Sequence, residues 1–155
     1  MTRIAKFRHY SDSALHKQNG CKHLFRYLKG TLDYSLTYGL TDTSELFQTW
    51  SDADHGGDKD LGRSTGAYIV KIGTGAISWR SKLQTMVTLS TTEAEYIAAV
   101  HAGQEILWLR NLFSEMGYEC ESASTLFTDN QSSISVSKTL SIVVGLNILT
   151  FASIG

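Results

Sequence analysis

One stretch of this chain has little conformational freedom. Ser90-Thr91-Thr92-Glu93 is a capping box, in which the Ser side chain and the Glu three residues on satisfy orphan N–H groups at a helix start. The apolar run behind it predicts a long helix to about Met116, stopped by Gly117. At about 100° per residue, Glu95 falls within roughly 20° of Ala102, Ile106 and Phe113, the apolar stripe. Glu93 points to nearly the opposite side and is explained by capping. Glu95 is therefore a carboxylate on a core-facing stripe, close to a helix start. A charge buried there is costly unless a metal ion or a partner holds it.

The flanking segments supply a sheet for that helix. Leu46–Asp52 reads as a strand, followed by the loop Gly56-Gly57-Asp58-Lys59-Asp60. Gly66–Ile72 and Gly75–Trp79 are β-rich runs joined by Gly73-Thr74-Gly75, a hairpin signal. Met86–Leu89 is a candidate further strand. Beyond the long helix, Thr125–Thr128 reads as a short strand and Gln131–Lys138 as a helix. Upstream, Ala14, Leu15, Cys21, Leu24, Phe25 and Leu28 recur at helical spacing before Gly30, which predicts a helix over 12–29 with a basic polar face. A short strand, Tyr34–Tyr38, is expected next. Strands, helix, strand, helix is an α/β order.

Two further acids sit where such folds collect ligands. Asp52 ends an apolar strand before glycine-rich loop sequence, and Asp129 ends Leu126-Phe127-Thr128 before a helix. Ligands of α/β sheets gather at such carboxyl ends. Singly, each has an ordinary explanation as a turn or cap residue, and Asp129 also suits the cap of the following helix. Together with Glu95 they form a strand, helix, strand set of carboxylates that repel one another unless a cation lies between them. A pair of Mg²⁺ ions in such a cluster is suited to phosphodiester cleavage. Asp54 is a candidate outer contributor, whereas Asp58 and Asp60 read as loop residues. His9, His16 and His23 are seven apart, two helical turns rather than the one a shared metal needs. Ser51 and Ser90 have no adjacent His and Asp partners, so serine nucleophile chemistry is not supported.

Size and charge frame these readings. At 155 residues, 42% hydrophobic and 19% charged, the chain has the size and composition of one globular domain, or of one domain plus an appendage. Cys21 and Cys120 show no paired spacing, which implies a reducing, intracellular setting. The start Met1-Thr2-Arg3-Ile4-Ala5-Lys6 shows no signal-peptide core. Residues 1–30 carry seven Lys/Arg against the single acid Asp12, while the remainder carries seven against fourteen acids. A basic arm beside an acidic body fits phosphate contact on one side and cations on the other, although an exposed basic helix alone also accounts for the arm. Residues 140–155 carry no charge, yet fall short of the ~20 apolar residues of a membrane span.

These residues resemble the RNase H domain of copia-type LTR retrotransposon polyproteins (retrovirus-related Pol). The resemblance rests on Trp-Ser-Asp-Ala-Asp-His-Gly-Gly-Asp at 50–58, Arg-Ser-Thr-Gly-Ala-Tyr-Ile-Val at 63–70 and Gly-Ala-Ile-Ser-Trp-Arg-Ser-Lys-Leu-Gln at 75–84. It continues through Leu-Ser-Thr-Thr-Glu-Ala-Glu-Tyr-Ile-Ala at 89–98, Leu-Trp-Leu-Arg at 107–110 and Thr-Asp-Asn-Gln-Ser-Ser-Ile at 128–134. His23-Leu24-Phe25-Arg26-Tyr27-Leu28-Lys29-Gly30-Thr31 looks like the end of the reverse-transcriptase and connecting region. The similarity runs from about residue 4 to 139.

The resemblance implies an RNase H-like mixed sheet flanked by helices. Residues 1–45 would be the connecting region, 46–139 the RNase H-like domain and 140–155 an unrelated apolar tail. The implied activity is cleavage of the RNA strand in RNA–DNA hybrids, with two Mg²⁺ (or Mn²⁺) ions held by Asp52, Glu95 and Asp129. Lys22, Arg26, Lys29, Asn130 and Gln131 would contact the nucleic acid. The implied partners are the hybrid and the reverse-transcriptase part of the polyprotein, not a membrane. The implied setting is a cytoplasmic retrotransposon particle or the nucleus. Two departures stand out. His55 replaces the family's usual Trp, and residues 130–155 contain no Asp, Glu or His to supply the family's fourth acid. The last strand and helix of the fold are accordingly expected to be missing. A noncatalytic relic, or a nucleic-acid-binding fragment, is the alternative. An integrase-type core fits less well, because its second acid comes from a strand.

Overall fold

The computed structural model describes residues 14–39, 45–131, 134–135 and 149–153. Arg3, Lys6, Arg8 and His9, the side chain of His16, most of the expected helix Gln131–Lys138 and the tail before Leu149 lie outside them. The chain divides into two compact units, 1–36 and 37–155.

The first unit contains helix α1, Ala14–Lys29. Gly30 donates its N–H to the carbonyls of Arg26 and Tyr27 and so closes the last turn, as its place after the apolar spacing predicts. Arg26 and Lys29 lie in that turn, where cations complement the helix dipole.

The second unit is a five-stranded mixed sheet with one long helix against it. Its strands are β1 (Gln48–Asp54), β2 (Thr65–Ile72), β3 (Gly75–Leu83), β4 (Ser124–Thr128) and β5 (Leu149–Ser153). Their spatial order is β3-β2-β1-β4-β5. The first three form an antiparallel meander, in which Asp52 pairs with Ala67 and Ala67 with Ser81. β4 runs parallel to β1, which requires a crossover, and helix α2 (Thr91–Glu115) supplies it. The cap is as expected at its first half: Ser90 Oγ accepts from the Glu93 N–H, while the Glu93 carboxylate reaches the N–H of Leu89 rather than that of Ser90. Gly117 takes a φ of 86°, the left-handed conformation that ends the helix.

The helix lies close to the sheet because its inner face is small. Ala94, Ala98, Ala99, Ala102 and Gly103 are buried along it with Ile106 and Leu109. Phe47, Tyr68, Val70 and Leu126 meet this face from the sheet side, and Phe113 packs edge-on against Phe47 at 5.2 Å. On the other sheet face, Trp50 stacks on Phe127 at 5.1 Å across the β1–β4 pair.

Three expectations change. Residues 34–39 have no regular structure; instead Tyr38 OH donates to the Ala76 carbonyl and Gly39 N–H to Thr74 Oγ1, so side chains hold Tyr38 and Gly39 to the β2–β3 hairpin. Met86–Leu89 is a loop with Met86, Val87 and Leu89 exposed and only Thr88 turned inward. The last strand is present, not missing. Leu149–Ser153 pairs in parallel with β4, Ser124 opposite Leu149, because its uncharged residues can lie along both the sheet edge and α2. Leu149 approaches so near that a Cβ at Gly103 would stand 3.2 Å from its Cδ1.

Leu126 is fully buried at the centre of this packing. Leu126→Ala should lower the stability of the second unit by about 2–5 kcal/mol, measured by urea unfolding.

Candidate metal centre

The sheet and helix bring the acidic trio together. Asp52 sits near the end of β1, and Asp129 directly follows β4, its parallel neighbour. Glu95 projects from the first turns of α2. Each of the three offers a carboxylate oxygen, and these oxygens lie within 4.8 Å of one another. Asp52 and Asp129 are exposed, whereas Glu95 is only 6% exposed. Among the described residues, this is the one group of acids, histidines and cysteines so arranged.

Glu95 is held by one bond. Its Oε1 accepts from the Ala53 N–H at 2.9 Å, which fixes the helix start against β1. Its Oε2 is buried without a hydrogen-bond partner. Burial pushes this carboxyl up to about 7; the Ala53 N–H opposes that shift, and the negative charges of Asp129 and Asp52 add to it. A cluster of hard oxygen donors with one unsatisfied buried atom fits a divalent cation, which would satisfy Oε2 and relieve the repulsion.

The other expected site residues divide. Asn130 donates to Thr92 Oγ1 at 3.4 Å, which links the end of β4 to the first turn of α2. Gln131 is exposed beside it in sequence. Lys22, Arg26 and Lys29 are exposed on α1, within the first compact unit. Asp54 lies outside the carboxylate set. Asp58 pairs with Arg63 at 3.9 Å and accepts from the Asp60 N–H, which agrees with its reading as a loop residue.

Two contributors had no sequence signal. One is the Ala53 amide, a backbone group. The other is a polar cluster that begins three residues past Asp52: His55 Nδ1 lies 3.2 Å from Thr88 Oγ1, and Thr88 Oγ1 lies 2.7 Å from Ser64 Oγ. Nothing in the spacing of 55, 64 and 88 links them.

The raised carboxyl carries a stability consequence. Between its unfolded value of 4.5 and its folded value of about 7, the folded state binds the extra proton. Stability from this group is therefore gained as pH falls through that window, and ionisation above it costs the metal-free fold roughly 3 kcal/mol. In chelator, Glu95→Gln should stabilise the protein at pH 8, and that gain should vanish by about pH 4.5. Urea unfolding of both proteins at the two pH values measures it; a gain equal at both would contradict this account.

No family model matches the sequence. The Retrovirus-related Pol polyprotein from transposon TNT 1-94 of Nicotiana tabacum is 43% identical over 117 residues, 76% of this chain and 9% of that protein. The corresponding polyprotein from transposon RE2 of Arabidopsis thaliana is 38% identical over 112 residues, 72% of this chain and 8% of that protein. The chain thus spans about a tenth of the length of these relatives. Among solved structures, LC11-RNase H1 in complex with an RNA/DNA hybrid superposes with a TM-score of 0.51 at 9% identity, covering 70% of this chain and 84% of that one. Among the described residues, no helix is long and apolar enough to cross a membrane. This chain is a homologue of the retrovirus-related Pol polyproteins of transposons, folded as an RNase H domain.

Proposed function

We propose that the protein is an RNase H-type endoribonuclease that cleaves the RNA strand of RNA–DNA hybrids, as part of the reverse transcription of a retrotransposon. The observation that carries this reading is the convergence of Asp52, Glu95 and Asp129 within 4.8 Å around a buried, unsatisfied carboxylate oxygen. The RNase H fold and the polyprotein relatives support it.

Asp52, Glu95 and Asp129 would hold two Mg²⁺ (or Mn²⁺) ions. Bound there, the ions supply Lewis acidity to the phosphodiester and make a water easier to deprotonate. The protein's own contribution is placement. The Ala53 N–H fixes Glu95 before any ligand arrives, so little reorganisation is needed at the site. Exposed Asp52 and Asp129 leave the outer side of the cluster open to a phosphate. Without cations, that phosphate would meet only negative charge. Asn130 and Gln131 would offer amide groups to the strand being cut. Lys22, Arg26 and Lys29 would contribute the salt-sensitive, sequence-independent part of binding. Discrimination of RNA from DNA would come from 2′-hydroxyl contacts in the wide minor groove.

One sequence fact favours a second reading. Past Asp129 the chain holds no Asp, Glu or His, so a fourth carboxylate for the cluster is absent from this segment. A nucleic-acid-binding relic without turnover would have that character.

A metal titration with a labelled RNA–DNA hybrid separates the two readings. The nuclease reading expects cleavage that needs Mg²⁺ or Mn²⁺ and falls at least ~100-fold in Asp52→Asn, a loss of about 3 kcal/mol or more of transition-state stabilisation. Hybrid binding with no metal-dependent cleavage above that variant would establish the relic instead.

A further inference from the structure

His55 stands three residues past Asp52, so its Cα lies within about 10 Å of that of the acid. Gly56 turns the chain there with a φ of 62°, and its N–H donates to Ser64 Oγ at 3.1 Å. Ser64 is fully buried and Thr88 is 4% exposed. Their hydroxyl oxygens are 2.7 Å apart, and His55 Nδ1 lies 3.2 Å from Thr88 Oγ1 and 3.4 Å from Ser64 Oγ. The imidazole is thus held at Nδ1 by two buried hydroxyls, while the residue itself is exposed.

A proton count decides the tautomer. Ser64 and Thr88 bring two hydroxyl protons, and their mutual bond uses one. Ser64 Oγ already accepts the Gly56 N–H. The second hydroxyl proton has a single acceptor within reach in this cluster, His55 Nδ1. A proton on Nδ1 would leave a buried hydroxyl donor unsatisfied, an unfavourable state because that donor has lost its water. In neutral His55 the proton therefore resides on Nε2. The result is an outward N–H donor on a ring whose inner edge is fixed.

We infer that His55 is a substrate-positioning residue, its Nε2–H donating to an oxygen of the nucleic-acid backbone, a phosphate or ribose oxygen, beside the carboxylate cluster. The inference rests on the proposed nuclease reading for its ligand, whereas the tautomer rests on the hydrogen bonds alone. A neutral donor displaces no counterion, so its contact strengthens binding without adding to the salt dependence, unlike a Lys or Arg.

The test has two independent readouts. Long-range ¹⁵N NMR of the imidazole should show a protonated Nε2 and an acceptor Nδ1 in the neutral ring, and Thr88→Val should mix the tautomers. A ring protonated at Nδ1 in the parent protein overturns the inference. Binding is then measured in the Asp52→Asn background, with an RNA–DNA hybrid and a DNA duplex of the same sequence. His55→Phe should weaken hybrid binding about 5–10-fold with an unchanged salt slope. His55→Gln, which keeps an outward N–H donor, should restore most of it. Loss on both duplexes identifies a phosphate oxygen, and loss confined to the hybrid a ribose hydroxyl; either supports the donor. Equal affinity of His55→Phe and parent overturns it. A parent that binds no hybrid overturns the nuclease reading and the proposed ligand with it, even if the tautomer is as expected.

Discussion

The bond from the Ala53 N–H to Glu95 joins the two halves of this fold. It ties the first turns of α2 to the end of β1, at the level where Ala53 pairs with Gly66 of β2 and β1 has run past its pairing with β4. Neither group is easily satisfied otherwise. The amide sits in a strand, and the carboxylate sits on a helix face packed against the sheet. Because the helix is both the crossover between the parallel strands and the carrier of Glu95, the same packing that buries Ala98, Ala102 and Ile106 also delivers the acid to the strand ends. Structure and site therefore cannot be adjusted separately. A shift of the helix along its axis would change the core and the carboxylate spacing together.

The cost of that arrangement is visible in one atom. Glu95 Oε2 is buried and unsatisfied, with two aspartates nearby. A structure optimised for stability alone would place an amide or an apolar side chain here. Carboxylates at this point cost the metal-free fold stability and would favour a divalent cation if one bound there. The small inner face of α2 belongs to the same design. Ala and Gly at successive turns let the helix approach the sheet, and a short Glu side chain can then reach across to β1.

Patterns with a strict period were legible in the sequence. The helix from Ser90, the turn at Gly73-Thr74-Gly75 and the opposite facing of Glu93 and Glu95 follow from local chemistry and phase. Asp52 and Asp129 were readable as strand ends, but their convergence depends on β1 and β4 being parallel neighbours, which no local signal encodes. Met86–Leu89 misled because three of its apolar residues face solvent while the polar Thr88 is the buried one. The uncharged tail looked foreign by composition, yet composition does not report whether a sheet edge is available, and β4 offered one to Leu149–Ser153. The hydroxyl pair that holds His55 was unreadable for a related reason. Ser64 and Thr88 meet only after the meander and the turn before α2 have formed.

The parallel pairing of β1 with β4 also sets the order of assembly. β1, β2 and β3 contact one another through short connections and can form early, since closing small loops is entropically cheap. Asp52 and Asp129 are separated by the whole meander and the long helix, so their encounter is a contact of high sequence separation and belongs to the late part of folding. A chain emerging from the ribosome would hold a structured meander with an isolated Asp52 before β4 exists. Divalent ions at that stage would find no chelating set. They would act on the finished sheet, closing the β1–β4 seam rather than nucleating it, and would slow unfolding more than they speed folding.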